Sequence, residues 1–470
     1  MKTRRFIKMI LSIWFFSYCV HANAQQASSD SVYRFTAKEA VDYAMKNAVQ
    51  VKNALLDIKI QEQTNKGYTA EALPHLSASA SLTYNPNVSV VALGDFISPA
   101  VYGVLAKEKV KDGDGNPITV PPSGGLLYAQ FGSHYAMAGG IDLNQILFDG
   151  QVFVGLQARK TAMKNAELTA DVTKEQIKTN VYKVYYQLVV AKRQIGTLDA
   201  NIATYEKLLH DTKEIYKNGF AEKLDVDKVQ VQLSNLETQK LQSQNQIDAG
   251  KEGLKFLMNI PQHDEIILTD TLSDEEIKSN ILDGNYNYED RKEYQVLESS
   301  IELGKYNVKR YQLSKLPSLS LVGNYSQNAF GNSLDFVKGP YFASSYIGLR
   351  LSVPIFDGGT RNSNIETARL NLMKYNNQLD QLKSSIDNDV AQSRLNMKTA
   401  LTTMDSQKKN VGLAKSVYNS TKLKYEQGVG SNQEISTAQS DLVMSQNNYY
   451  SSLYDAIIAK IDYLTAAGKL

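Results

Sequence analysis

Residues 146–153 read ILFDGQVF, and residues 354–361 read PIFDGGTR. In both stretches an apolar residue is followed by Phe-Asp-Gly, and the two phenylalanines, Phe148 and Phe356, lie 208 positions apart in a chain of 470 residues. An alternating, strand-like segment precedes each stretch, and a long segment without proline follows it. The repeated stretch therefore marks a transition from strand to helix that occurs twice in this chain.

Other landmarks recur in the same order in both halves of the sequence. Pro74 and Pro317 are 243 positions apart, and Gly219 and Gly428 are 209 positions apart. A self-similarity of this kind indicates an internal duplication. Because the separation falls from 243 before the strands to 208 after them, we predict that the first copy contains an interstrand loop about 35 residues longer than the second copy's.

Each half contains two segments in which apolar and polar residues alternate. These segments begin at Leu76 and Phe131 in the first half and at Leu319 and Ile347 in the second. A period of two residues predicts strands with one apolar face. About 10 alternating residues is also the length of a tilted strand that crosses a bilayer. Residues 87–127, which contain several glycines and prolines, are predicted to be a long loop.

Helices are predicted before and after each pair of strands. Thr36 and Glu39 form a capping box that begins a helix ending at Leu73. After Phe148 the chain continues for about 68 residues as one predicted helix, which at 1.5 Å per residue is about 100 Å long. Its apolar residues recur at steps of three and four from Ile177 to Leu209, which is a heptad seam. A turn at Gly219 then predicts an antiparallel helical hairpin.

The first 24 residues have the features of a cleaved secretory signal sequence. Four basic residues precede an apolar run from Met9 to Val20, and Ala22 and Ala24 supply small residues for cleavage. The run is shorter than the roughly 20 residues that a membrane-spanning helix needs. We therefore expect an exported protein rather than one anchored by this segment.

Removal of this signal sequence has consequences for the chemistry of the chain. It takes away Cys19 and Trp14, the sole cysteine and tryptophan, so disulfides, zinc-thiolate sites and cysteine nucleophiles are excluded from the mature chain. Without the four basic residues of the signal, 47 basic residues stand against 49 acidic ones, a net charge near −2. No basic footprint for nucleic acid is present.

Four parts of the chain follow from these patterns. They are the signal sequence (1–24), a first repeat (25–260), a connector (261–288) and a second repeat (289–470). The mature chain has no apolar run of 18 residues, so any membrane crossing must use strands. Because lipid cannot satisfy the free edges of a four-stranded sheet, such a sheet must close with copies of itself.

The ordered set of motifs resembles the TolC-like outer membrane efflux protein family. The resemblance covers nearly the whole mature chain and rests on these stretches: FTAKEAVDYAMKNA, LPHLSAS, LNQILFDG, YKNG at 216–219, LPSLSL, LSVPIFDGG and YEQGVGSNQEI. It implies a mainly α fold with a transmembrane β part. Three copies would close into one 12-stranded barrel in the outer membrane, continued by a tube of twelve helices in the periplasm.

The resemblance also implies a function and its partners. The protein would be the passive exit duct of a tripartite efflux or type I secretion system in the outer membrane of a Gram-negative bacterium. A periplasmic adaptor and an inner membrane transporter would open it at its periplasmic tip. The homotrimer would contact outer membrane lipid and would use no cofactor and bind no nucleic acid. The substrate is not implied.

Site residues carry over from the family position by position. Tyr425 and Asp225 match a tyrosine and an aspartate that bond in the closed pore, and Glu434 matches an acidic ring at its narrowest point. For Glu434 a capping box with Ser431 is an equally direct explanation. Gly430 stands where the best-known member has a latch arginine, and Thr437 stands at a second acidic position, which puts the strength of the lock in question.

The turns and the junctions complete the predicted site. Gly219 with Phe220, and Gly428 with Val429, would be the turns that contact the adaptor. Asp149 and Asp357 lie where a strand becomes a long helix, and an aspartate there can accept hydrogen bonds from the first helical turn. We expect the glycines beside them to allow a sharp change of direction.

Competing interpretations remain at this point. A periplasmic adaptor also uses a long helical hairpin, and a structural coiled-coil protein would show the same heptads. Residues 112–116, DGDGN, suggest a calcium loop, but an EF-hand needs glycine and glutamate where this chain has Pro117 and Ser123, so we predict a surface turn. The histidines are scattered and no catalytic motif is present, so we expect neither an enzyme nor a metal site.

Overall fold

The computed structural model describes residues 31–122, 125–271, 277–278 and 285–470. The predicted signal sequence and part of the predicted connector lie outside these residues. The chain divides into two compact units. The first is formed by the described residues within Met1–Ile58, Asn165–Glu298 and Gln378–Leu470, and the second by those within Lys59–Lys164 and Ser299–Asn377.

The described elements follow the order that the duplication predicts. The helices are α1 (Ala37–Asn47), α2 (Val49–Glu71), α3 (Ile97–Lys107), α4 (Gly150–Lys217), α5 (Lys223–Met258), α6 (Lys292–Leu313), α7 (Thr360–Glu426) and α8 (Asn432–Ala466). The strands are β1 (Val32–Phe35), β2 (His75–Tyr84), β3 (Val90–Gly94), β4 (Leu126–Gln130), β5 (Tyr135–Phe148), β6 (Glu265–Leu268), β7 (Ser318–Gly331) and β8 (Phe342–Ser352). Short 3₁₀ turns occur at Tyr288–Asp290 and Leu334–Lys338.

The second unit contains a four-stranded antiparallel sheet in the order β2-β5-β7-β8. Each repeat contributes two of these strands, so the duplicated halves share one sheet. β2 and β8 form its two edges, and every residue of β2 is exposed to solvent. The four predicted strands are thus confirmed, and the sheet has two unpaired edges within the described chain.

The register of the sheet collects the apolar residues on one face. Leu76 pairs with Leu143, and Gly323 pairs with both Leu143 and Ile347. One position along, the partners on the opposite face are polar in β2, β5 and β7: they are Ser77, Asp142, Asn324 and, in β8, Tyr346. A side-chain period of two therefore sorts the whole sheet into an apolar and a mainly polar face.

The first predicted helix is divided in two. We predicted one helix from Thr36 to Leu73, but α1 ends at Asn47 and α2 begins at Val49. Ala48 has an extended ψ of 134°, although its own N–H still bonds to the carbonyl of Ala44 at 2.9 Å. Asn47 bonds its side-chain amide to the carbonyl of Tyr43, a local bond of the kind that competes with a regular helix. The capping box of Thr36 and Glu39 is present as predicted.

The predicted long loop between β2 and β5 contains regular structure. β3 and β4 pair as an antiparallel ribbon, and α3 lies between them in the sequence. The carboxylate of Asp95 accepts the N–H groups of Ile97 at 3.2 Å and Ser98 at 2.9 Å, which begins α3. Ile97, Val101, Val104 and Leu105 recur at the spacing of one helix face, but Pro99 and Gly103 lie between them and indicate a loop. Further along, Asp112 accepts the N–H groups of Asp114 and Asn116, as predicted for a surface turn.

The first unit is mainly helical and contains the heptad seam. Ile177, Val181, Leu188 and Leu198 of α4 are buried, as are Leu233 and other seam residues of α5. β1 and β6 pair in parallel beside this core, and the Tyr185 hydroxyl donates to the carbonyl of Phe35 at 2.8 Å. Burial raises the pKa of Tyr185 to about 12, so this hydroxyl stays a donor at neutral pH. The helical hairpin of the first repeat is confirmed.

Within the part of the chain that the structure describes, no helix combines the length and the apolar character that crossing a membrane requires.

Candidate functional site at the hairpin turns

The turn after α4 has a standard helix-terminating geometry. Gly219 has φ +79°, a conformation that costs little only for glycine. Its N–H bonds to the carbonyl of Tyr216, and the N–H of Phe220 bonds back to the carbonyl of Ile215. These bonds satisfy the last carbonyls of the helix. The Phe220 side chain is left 85% exposed at the tip of the turn.

The turn after α7 has the same helix-terminating geometry, and in addition its Gly430 lies close to the backbone of the preceding helix. Gly428 has φ +74°, and the N–H groups of Val429 and Gly430 both bond to the carbonyl of Lys424. Val429 is 76% exposed, like Phe220 in the first turn. A Cβ added at position 430 would lie 2.9 Å from the Tyr425 backbone nitrogen. A side chain such as arginine therefore does not fit at this position in the observed turn.

Asp225 and Glu434 cap the two helices that follow these turns. The Asp225 carboxylate accepts the Glu222 N–H at 3.4 Å, and the Glu434 carboxylate accepts the Ser431 N–H at 3.4 Å. The Ser431 hydroxyl accepts the Glu434 N–H at 3.2 Å in return. The capping box that we considered for Glu434 is therefore present. The equivalent capping box, formed by Glu222 and Asp225, was not predicted from the sequence.

Tyr425 does not bond to Asp225 in the described chain. Its side chain is half-buried and packs on an apolar cluster formed by α4, α5 and α8. The buried members of this cluster are Leu198, Tyr205, Leu208, Leu209, Val229, Leu233, Leu236 and Ile435. The predicted bond between Tyr425 and Asp225 thus stays a prediction about the assembled protein.

Two contacts join the turns of the two repeats. The Asn432 amide donates to the Asp225 carbonyl at 3.4 Å, and the Lys228 ammonium donates to the Gln433 side-chain carbonyl at 3.0 Å. Both pairs connect the first residues of α5 with the first residues of α8. No sequence motif predicts these contacts, because each contact joins residues more than 200 positions apart.

Further polar side-chain pairs connect α4 of the first repeat with α8 of the second repeat. Lys183 forms an ion pair with Asp462 at 2.5 Å, and the Asn201 amide donates to Gln446 at 2.7 Å. Further pairs are Gln194 with Asn447, Thr197 with Tyr450, and Tyr205 with Ser440. α4 and α5 meet mainly through leucine, valine and isoleucine, with an ion pair between Lys240 and Asp199. The joint between repeats combines its polar pairs with apolar contacts, because Leu453 and Ile457 of α8 lie in the same cluster as Val181 of α4.

The two junction aspartates cap their helices as predicted. Asp149 accepts the N–H of Gln151 at 2.7 Å and of Val152 at 3.3 Å. Asp357 accepts the N–H groups of Gly359 and Arg361, and its carboxylate pairs with the Arg361 guanidinium at 2.8 Å. These bonds satisfy free donors of the first helical turn.

The glycines at these junctions have different roles, which corrects our single explanation. Gly358 has φ +65° and allows the predicted change of direction. Gly150 does not have a positive φ, but a Cβ there would lie 2.7 Å from the Leu313 Cβ. It is needed because the start of α4 approaches the end of α6 closely.

Among the described residues, no group of three or more histidine, cysteine, aspartate or glutamate side chains is placed to hold a metal ion.

Known proteins resemble this chain in sequence and in fold. A family model described as "Outer membrane efflux protein" matches residues 289–469. "Outer membrane protein TolC" of Vibrio cholerae is 21% identical over 71% of this chain and 77% of the relative. "Alkaline protease secretion protein AprF" of Pseudomonas aeruginosa is 20% identical over 70% of this chain and 68% of the relative. The solved structure of CusC superposes with a TM-score of 0.72 at 13% identity and covers 92% of both chains.

Proposed function

We propose that this chain, which belongs to the TolC-like family of outer membrane efflux proteins, forms the passive exit duct of a tripartite efflux or type I secretion system. Its location is the outer membrane of a Gram-negative bacterium. A homotrimer surrounded by outer membrane lipid would be engaged at the hairpin turns by a periplasmic adaptor and an inner membrane transporter. The family is one of channels, not of enzymes.

The single observation that carries this proposal is the open sheet of the second unit. Its edge strands β2 and β8 have no partner on their outer sides in the described chain. Its apolar face exposes large side chains, among them Leu76 at 71% and Ile347 at 74%. A monomer in water would leave both the edges and this face unsatisfied. Closure with two further copies would pair the edges and turn the apolar face toward lipid.

The polar face supports a water-filled interior. Asp142 accepts the Asn324 amide at 2.9 Å on this face, and His75 and Arg350 lie on the same side of the sheet. A charged, hydrogen-bonding lining is what a conduit for polar solutes requires. The alternative of a periplasmic adaptor fits less well, because both repeats contribute strands to one sheet with an exposed apolar face.

The exposed turns of the first unit support a docking role for a protein partner. Phe220 and Val429 are apolar side chains left in solvent at the ends of the helical hairpins. Exposed apolar groups at equivalent turns are suited to a protein partner, and an adaptor is the partner that the family implies. Titration of the adaptor against variants Phe220→Ser and Val429→Ser tests this part, since both should weaken binding without affecting the oligomeric state.

The closure is tested by arginine substitutions on opposite faces of β8. In Leu349→Arg the charge would enter lipid, at a cost of about 2–4 kcal/mol per copy at the bilayer midplane. In Ser344→Arg, on the other face of the same strand, the charge would enter the aqueous interior. We expect trimers and single-channel conductance in planar bilayers for Ser344→Arg and for the unmodified protein, and reduced assembly for Leu349→Arg. A monomer without conductance in the unmodified protein would refute the proposal.

A further inference from the structure

The ribbon formed by β3 and β4 extends the β2–β5 pair beyond the rest of the sheet. The Asn85 N–H bonds to the His134 carbonyl at 2.7 Å, one step past the last β2–β5 pair. After a short break, the Phe131 N–H bonds to the Ser89 carbonyl, and regular pairing resumes at Val90 with Gln130. In this arrangement β3 follows β2, the strand at the free edge of the sheet.

Residues 90–122 and 125–131, which we call the excursion, expose an unusual amount of apolar surface. α3 has no buried residue, and none of its residues from Ile97 to Ala106 is charged. Val104 of α3 is 62% exposed and Tyr128 of β4 is 69% exposed. Further exposed apolar residues are Val90, Val91, Phe96, Ile97, Val101, Tyr102, Val110, Val120, Leu126 and Phe131. A helix whose apolar face is exposed to solvent is normally covered by another protein surface or by lipid.

The turn between β7 and β8 also exposes apolar side chains at this end of the sheet. Phe336 anchors it, because this side chain is buried and stacks on Tyr135 at a centroid distance of 5.9 Å. Leu334 is 67% exposed, and Val337 and Tyr341 are exposed as well. The turn therefore has one apolar side chain facing its own sheet and three facing away from it.

The sheet register determines what would lie beside the excursion in a closed ring. Ser81, Ala138, Asn328 and Phe342 are successive partners across the four strands. β8 begins at Phe342, whereas β2 continues beyond Ser81 to Tyr84 and then into the ribbon. When β2 of one copy pairs with β8 of the next, the excursion extends past the start of β8. The neighbour's chain there is the turn that precedes β8.

We propose that the excursion packs against residues Leu334–Tyr341 of a second copy of this chain, so that the copies form an apolar collar around the outer mouth of the duct. This inference rests on the proposed closure between β2 and β8. It assigns a role to the additional length of the first interstrand loop. Both surfaces are apolar, exposed and continuous with the edges that closure would join.

The charges of the excursion favour a protein neighbour over a lipid headgroup. Three lysines, at 107, 109 and 111, lie close to Glu108, Asp112 and Asp114, and Asp95 precedes α3. Acidic and basic side chains therefore nearly balance, and no basic cluster is available for anionic lipid phosphates. A surface of this kind is suited to an apolar contact with another protein copy.

Photo-cross-linking identifies the neighbour directly. p-Benzoylphenylalanine placed at Tyr128 in the full chain, irradiated in outer membranes, should give covalent dimers and trimers of this chain after denaturation. The same group at Asp114, in the exposed turn, is the matched control and should give few. Leu334→Ser combined with Val337→Ser should reduce the Tyr128 adduct about tenfold, a loss of roughly 1.4 kcal/mol of contact free energy, while Phe336 still anchors the turn.

The outcomes separate this contact from the proposed function. An intact trimer without adducts between chains, or with adducts only to lipid, would overturn the collar and leave the duct in place. Adducts that the Leu334 and Val337 substitutions leave unchanged would overturn the assignment of the turn. Absence of a trimer in mild detergent would overturn the closure, and the collar with it.

Discussion

Asp225 and Glu434 occupy the same position in the two repeats: both are the third residue of the helix that follows a hairpin turn, 209 positions apart like Gly219 and Gly428. Each carboxylate accepts the N–H of the residue three places before it. The two acidic residues that the family resemblance assigns to different parts of a gate are therefore equivalent structural elements here. Any role in gating adds to a capping role that both already have.

At the second turn, two substitutions test the charge of Glu434 and its helix cap separately. Glu434→Gln removes the negative charge but keeps a side chain that can complete the capping box. Ser431→Ala keeps the charge and removes the hydroxyl that accepts the Glu434 N–H, which costs about 1 kcal/mol of helix stability. In a trimer, three carboxylates at one level would attract cations.

We therefore expect Glu434→Gln to lower the preference for cations, measured as the reversal potential in a salt gradient, with thermal unfolding unchanged. Ser431→Ala should show the reverse, a lower unfolding temperature with the cation preference retained. Equal selectivity in both variants and the unmodified protein would leave Glu434 with its capping role alone.

A latch at Tyr425 predicts a higher resting conductance when only the hydroxyl is removed. Tyr425→Phe keeps the ring that packs on the cluster of α4, α5 and α8, so stability should change little. A hydrogen bond between the hydroxyl and a carboxylate contributes about 1.5–3 kcal/mol, enough to raise the open fraction roughly tenfold or more when it is lost. Asp225→Asn keeps the side-chain size and a neutral acceptor but removes the charge, so it should raise the conductance less than Tyr425→Phe does.

The double variant decides whether the two residues act together. If Tyr425 and Asp225 bond in the closed trimer, Tyr425→Phe with Asp225→Asn should conduct no more than Tyr425→Phe alone. Additive increases would show that the residues act independently. Unchanged resting conductance in all three would exclude the latch.

Gly430 provides a steric test of the second turn. A Cβ at this position would lie 2.9 Å from the Tyr425 backbone nitrogen and 3.1 Å from the Lys424 carbonyl carbon, both of which belong to the backbone and cannot rotate away. Gly430→Ala should therefore destabilise the turn by roughly 1–3 kcal/mol and shift Tyr425. The matched control is Gly412→Ala within α7, where a Cβ meets nothing within 4 Å and alanine should stabilise the helix by about 1 kcal/mol. Thermal unfolding of the two variants should thus change in opposite directions.

The sequence predicted those features that local physics determines. Alternation over Leu76–Tyr84 and the heptads of α4 identified the strands and the hairpin, because burial selects the same period along the whole element. Glycines at the turns and aspartates at the junctions were found since helix ends require particular residues. The contacts of Asn432 with Asp225 and of Lys183 with Asp462 were not predictable, because they depend on how distant segments come together. The helix α3 was missed because Pro99 and Gly103, which lie within it, indicate a loop.

The connector residues near Asp387 give the fold a dependence on alkaline pH. The Tyr286 hydroxyl donates to the Asp387 carboxylate at 2.7 Å, and the Tyr288 hydroxyl donates to the same group at 2.9 Å. The hydrogen bond to Asp387, followed by burial and the negative charge, raises the pKa of Tyr286 to about 12. The folded state thus favours the neutral phenol, whose pKa in an unfolded chain is about 10. Stability from this contact is fully present below about pH 10 and is lost as the pH rises through about 12.

We expect Tyr286→Phe to be less stable than the unmodified protein at neutral pH, with a difference that disappears as the pH approaches about 12. Urea unfolding followed by circular dichroism at a series of pH values measures this difference. Asp387→Ala removes the acceptor that both phenols contact, so in that variant the Tyr286→Phe substitution should have little effect at any pH. A stability difference that persists unchanged at high pH would mean that the ring of Tyr286, and not its hydroxyl, stabilises the connector.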